Sequence, residues 1–147
     1  MEYENNILNK TLEDLEGKIW PPVNSSDSSH LVITCHALRK KKLSTFSIED
    51  LRIMIGQGVG LKYMIPLAIE ILRNNILAEG DLYEGDLLMK VLVSDQTYWL
   101  EEKGNWSTVC ILFNHNRKVL EDSDTSRDIK QGWLKSFEAF EQIHKES

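Results

Sequence analysis

The feature that most constrains this fold is an apolar stripe between Leu61 and Asn75. Leu61, Met64, Ile65, Ala68, Ile69 and Leu72 recur three and four residues apart, the repeat of one helix face. Leu67, Ile71 and Ile76 widen the stripe, so the helix has to be covered on more than one side. Pro66 either falls in its first turn or kinks it. Other periodic segments can provide the cover. Residues 5–18 place Ile7, Leu8, Leu12 and Leu15 at helical spacing, and Trp20-Pro21-Pro22 follows as a stop, because neither proline can continue a helix. A polar loop over 24–29 leads to a short helix expected between Leu31 and Lys42. Its cations Arg39, Lys40, Lys41 and Lys42 suit a solvated helix end.

Ser47 is placed as the N-cap of a helix beginning at Ile48, with Glu49 and Asp50 in the first turn. Asp86 to Val93 predicts another helix with Leu87, Leu88, Val91 and Leu92 inward. Asn105 is expected to cap a further one, and Glu121 to Asp124 a loop. Ser126 opens the last helix, with Ile129, Trp133, Leu134, Phe137, Phe140 and Ile143 along its stripe. The expected fold is mainly α, a compact bundle of about six to seven helices in one domain over residues 1–147. The stretch from Asp95 to Trp106 leaves open a small hairpin.

A formal charge of −6 weighs against nucleic acid as a partner, since phosphate contacts need a basic face. It suits a basic protein instead. No apolar run approaches a membrane span, and the N-terminus is acidic and polar rather than signal-like. The expectation is therefore a cytoplasmic protein that does not engage a membrane. Cys35 and Cys110 lie among apolar neighbours and read as reduced core thiols.

Gly56-Gln57-Gly58-Val59-Gly60 resembles a phosphate loop only superficially. It follows a helical segment, no Lys-Ser/Thr comes after it, and there is no βαβ pattern. Glycine here is better suited to a sharp turn between packed helices. His30, His36, His115 and His144 are scattered, and no set of catalytic roles can be assembled; no enzyme, cofactor or metal is expected. Asp81 to Asp86 lacks the ligand spacing of an EF-hand. The strongest functional signal is acidic. From residue 79 to 102, seven acids face one base, Lys90. Glu79, Asp81, Tyr83, Glu84, Asp86, Asp95, Trp99, Glu101 and Glu102 are the candidate partner-binding residues: charge for steering and aromatic groups of the kind that anchor interfaces. Tyr98 and Trp106 stand beside them, and all four aromatics fit an ordinary core edge equally well.

Four pieces in order carry a family resemblance. They are Ile48 to Gln57, Gly60-Leu61, Ile65-Pro66-Leu67-Ala68, and Glu79-Gly80-Asp81-Leu82-Tyr83-Glu84-Gly85-Asp86-Leu87-Leu88. Together they resemble a family of bacterial contact-dependent growth inhibition immunity proteins, over less than a third of the chain. The resemblance implies a small cytosolic protein that binds the C-terminal toxin domain of a contact-delivered effector. Such a toxin is often a nuclease, commonly a ribonuclease, and the immunity protein blocks its active site or substrate surface without chemistry of its own. Ile53, Ile55, Ile65, Leu67, Leu87 and Leu88 within the shared block look like scaffold. A small acidic helical adaptor binding a basic protein in another pathway is the competing expectation.

Overall fold

A computed structural model describes residues 7–23 and 29–145. Nine helices are formed among the described residues, and no strand. They are α1 (Leu12–Glu16), α2 (His30–Leu38), α3 (Ile48–Gly56), α4 (Leu61–Asn74), α5 (Asp86–Leu92), α6 (Gln96–Glu101), α7 (Lys103–His115), α8 (Arg117–Asp122) and α9 (Arg127–Gln142), with a 3₁₀ turn at Leu43–Thr45. The mainly α bundle is as expected. The hairpin left open over 95–106 is replaced by α6 and the start of α7.

Local chemistry sets most of the boundaries. Thr11 and Ser47 each accept the N–H of the residue three places on, and Asp14 and Asp50 return the bond to the cap's own N–H. These reciprocal boxes satisfy two otherwise orphaned donors apiece. Ser29, Asp95 and Ser126 cap α2, α6 and α9 through their side chains. Thr11 also divides the helix expected over 5–18. Residues 7–8 form a separate helical turn, and Gly17, at φ 63°, ends α1 before the prolines are reached. Residues 5 and 6, and 24–28 of the polar loop, lie outside the described residues.

The central stripe falls as the spacing requires. Leu61, Met64, Ile65, Ala68, Ile69 and Leu72 are all buried on α4. Pro66 lies in the helix interior but is exposed. The bond it denies to the Lys62 carbonyl is therefore lost on the hydrated side. Gly58 and Gly60, at φ 69° and 63°, turn the chain from α3 into α4. A Cβ at Gly60 would stand 2.9 Å from Leu12 Cδ1, so the turn also admits α1 closely.

Helix α5 is the hub. Five of its seven residues are buried, Asp86 among them. It packs on α3, α4 and α9. Helix α9 closes the other side with Trp133, Phe137 and Phe140, and Phe137 stacks on Phe113 of α7 at 4.0 Å between ring centres. Leu134, expected on that stripe, is 46% exposed.

Three boundary expectations change. Helix α7 starts at Lys103, and Asn105 sits in its first turn, where Nδ2 donates to the Tyr98 hydroxyl. Glu121 and Asp122 belong to α8 rather than a loop. The Arg39–Lys42 run is not a solvated helix end. Helix α2 stops at Leu38, and Arg39 is 1% exposed. Its guanidinium bonds Glu16 and the Lys18 carbonyl and lies 4.3 Å from the Trp20 ring. Lys41 Nζ reaches Asp50 at 2.6 Å. Arg39 was hidden in the sequence because its partners, Glu16, Lys18 and Trp20, lie far back along the chain.

Ile69 tests the central stripe. It is 4% exposed, so Ile69→Ala should lower the unfolding free energy in urea by roughly 2–5 kcal/mol. A loss below about 0.5 kcal/mol would place the side chain outside the core.

Candidate functional site

The acidic block divides into two parts with different roles. Helix α5 stands between residues 79–85 and residues 95–102, and its seven residues span about 9 Å. On the N-terminal side, four successive N–H groups have no helix or strand to join. Gly80, Leu82 and Tyr83 donate to the Asp86 carboxylate at 2.7, 3.0 and 3.3 Å. Asp81 donates to Glu49 Oε1 at 2.9 Å. Glu49 is in turn gripped by Arg52, whose Nε and Nη2 donate at 2.6 and 2.5 Å. Arg52 Nε also lies 3.9 Å from Asp86. Two carboxylates and one guanidinium thus hold the loop to α3.

The charges follow from that geometry. The Arg52 hydrogen bond holds the Glu49 carboxyl below its ordinary value of 4.5, with burial opposing and the Asp81 N–H assisting. The same bond raises Arg52, so both partners favour their ionised forms. Tyr83 is raised by burial and by Asp86 nearby.

Asp86 is therefore a structural group. At 1% exposure with three backbone donors, it is not available to a partner as its sequence neighbourhood suggested. Trp99 is 0% exposed. Its Nε1 donates to Ser94 Oγ at 2.9 Å, and its ring meets Phe140 edge-on. Trp106 Nε1 donates to the Phe140 carbonyl, and Tyr98 accepts from Asn105. These aromatics form a core edge. Glu79, Asp81, Asp95, Glu101 and Glu102 are exposed, while Tyr83 and Glu84 are half-buried.

The structure adds partners that the linear block concealed. Glu84 lines an open groove of about 570 Å³ with Asp122 and Asp124, over Leu77 and Val119. Lys118 is on the same groove, 3.6 Å from Asp122. No spacing rule links position 84 to 122 and 124; the turn after α8 brings them together.

Chemistry at the cysteines has little support. Cys35 is buried and its thiol is raised by burial. Its neighbour His36 packs edge-on against Trp20 at 4.9 Å. Cys110 is pushed up to about 11, by burial first and Glu141 second. Thiols held this high are weak nucleophiles at neutral pH. Among the described residues, no group of three or more His, Cys, Asp or Glu side chains is placed to hold a metal ion, and no helix is long and apolar enough to cross a membrane.

A family model described as CDI immunity proteins matches residues 5–109. This chain is a CDI immunity protein by family. The matched segment contains the Glu49–Arg52–Asp86 network and ends inside α7. An immunity protein of this family binds a cognate toxin protein. No curated protein matches the chain. Helices α8 and α9 lie beyond the matched segment, yet α9 completes the core: Trp133 Nε1 donates to the Gly85 carbonyl at 3.2 Å. A Cβ on Gly85 would fall 2.2 Å from Trp133 Cζ2.

Two outcomes test the network. Asp86→Ala orphans three N–H groups and unbalances Arg52, so it should cost about 3 kcal/mol or more. Asp81→Ala, on an exposed side chain, should cost less than about 0.5 kcal/mol. Equal losses in urea unfolding would exclude this arrangement. The second outcome is pH dependence. Glu49 has a lowered folded value, so the unfolded chain binds its proton more readily. Its stabilisation is present above 4.5 and is lost as pH falls through the lower folded value. Below pH 4.5 the parent should therefore lose stability more steeply than Glu49→Gln; parallel curves would show that this carboxylate contributes nothing.

Proposed function

We propose that this immunity protein neutralises a cationic nuclease toxin, in the first place a ribonuclease, by covering its active site or substrate surface. It performs no chemistry of its own. The observation that carries the reading is a CDI immunity protein with an acidic surface. Glu79, Asp81, Asp95, Glu101 and Glu102 are exposed, and Glu84 joins Asp122 and Asp124 on the groove beside α8. A nuclease must hold phosphates, which calls for a positive substrate surface. Carboxylates can compete for that surface and steer the encounter from a distance. Family membership favours this reading over an adaptor in another pathway.

Co-expression with the C-terminal toxin domain encoded immediately upstream is the direct test. A stable one-to-one complex and restored growth are expected. A folded, active toxin that still kills and is not bound would overturn the reading. Charge reversal then tests the acidic groove. Glu84→Lys with Asp124→Lys should slow association and flatten its dependence on salt. Unchanged association kinetics would take this groove out of the interface.

A further inference from the structure

Helix α8 separates two unlike surfaces. Lys118, Val119 and Asp122 face the acidic groove. Arg117, Leu120 and Glu121 face a second pocket, of about 260 Å³, with Phe113, Trp133 and Leu134. Four apolar side chains make up most of that wall. Phe113, Leu120 and Trp133 are buried core residues that form its floor, and Leu134 is its exposed rim at 46%.

Two cations, Arg117 and Lys130, stand on this pocket with one exposed acid, Glu121. Arg117 Nε donates to Asn114 Oδ1 at 2.8 Å, and its guanidinium lies 5.3 and 5.4 Å from the Phe113 and Phe137 rings. Lys130 Nζ donates to the Glu121 carbonyl at 2.7 Å. Both cations are held in place, but by neutral oxygens and ring faces. A positioned cation beside an open apolar pocket is complementary to a carboxylate next to an apolar side chain. The aromatic walls and the guanidinium also suit the centre of an interface, where desolvated anchors sit.

We propose that the pocket between α7, α8 and α9 receives an apolar side chain of the toxin whose neighbouring carboxylate pairs with Arg117 and Lys130. The proposal rests on the toxin-binding reading above and assigns it a contact. Every residue named on the pocket lies beyond residue 109, outside the segment the family model matches. A cationic toxin would then be gripped on both sides of one short helix, its cations over the acidic groove and one acid over this pocket.

The test is affinity and association rate for the purified C-terminal toxin domain encoded immediately upstream, with the full chain as parent. Leu134→Asp places a carboxylate where the incoming one would sit, and should weaken binding at least about tenfold. Arg117→Gln and Lys130→Gln together should weaken it and raise the dissociation rate. Ile111→Ser, at an equally exposed apolar position of α7 away from the pocket, should bind like the parent. Matching melting curves establish that the variants fold, and Lys130→Glu serves should Leu134→Asp melt early. Pocket variants that bind within twofold of the parent overturn the pocket and leave the toxin-binding reading intact. A parent that does not bind the active toxin overturns both. Loss of self-association in Leu134→Asp, seen by sedimentation of the chain alone, would make this a contact between copies and also overturn the proposal.

Discussion

Backbone that joins no helix or strand still has to place its donors, and in this protein that requirement organises the centre. Gly80, Asp81, Leu82 and Tyr83 present four N–H groups in succession, and Glu49 and Asp86 accept all of them. Burying a carboxylate is unfavourable unless it is paired and fully bonded. Asp86 meets that condition with three donors and Arg52 nearby. The loop, α3 and the start of α5 are consequently fixed as one unit. Because α5 touches α3, α4 and α9, the position of the whole bundle depends on that anchorage.

Glycines make the anchorage possible. Gly80 passes so close to the two acids that a Cβ would stand 2.6 Å from Glu49 Oε1. Gly85 sits at φ 82° with the Trp133 ring against it and its carbonyl bonded to the indole. Any side chain there would both strain the backbone and displace the indole. The last helix is therefore seated by the same turn that launches α5. A segment matched by the family model and a helix outside it share one packing event, which explains how the core continues past residue 109.

Much of this was legible in the sequence. The six-residue stripe of α4, the Ser47 cap and the glycine break were readable because each depends on neighbours within four residues. What could not be read depends on distant partners. Arg39 looked solvated because Glu16 and Trp20 are remote in sequence. Asp86 and Trp99 looked like contact residues because charge and aromaticity are visible in a sequence while burial is not. Glu49 was readable as an acid in the first turn of its helix, but nothing local tied it to Asp81. The helix boundary at Thr11 slipped for a milder reason: a cap competes with apolar periodicity that continues across it.

A carboxylate that accepts its own backbone N–H groups cannot turn to a partner without unfolding what it holds. Under the toxin-binding proposal, fold and recognition compete for the same acids along residues 79–102, and burial divides them. Asp86, with Glu49 from α3, serves the loop. The exposed Glu79 and Asp81 and the half-buried Glu84 sit on the loop those two have fixed, and are held rigidly as a result. Rigid presentation lowers the ordering cost of binding, so under that proposal the buried acids assist recognition indirectly, through the geometry of the exposed ones. On the far side of α8 two cations, Arg117 and Lys130, are held by neutral oxygens beside Glu121. Under the toxin-binding proposal, the scaffold network and the partner contacts therefore draw on different residues.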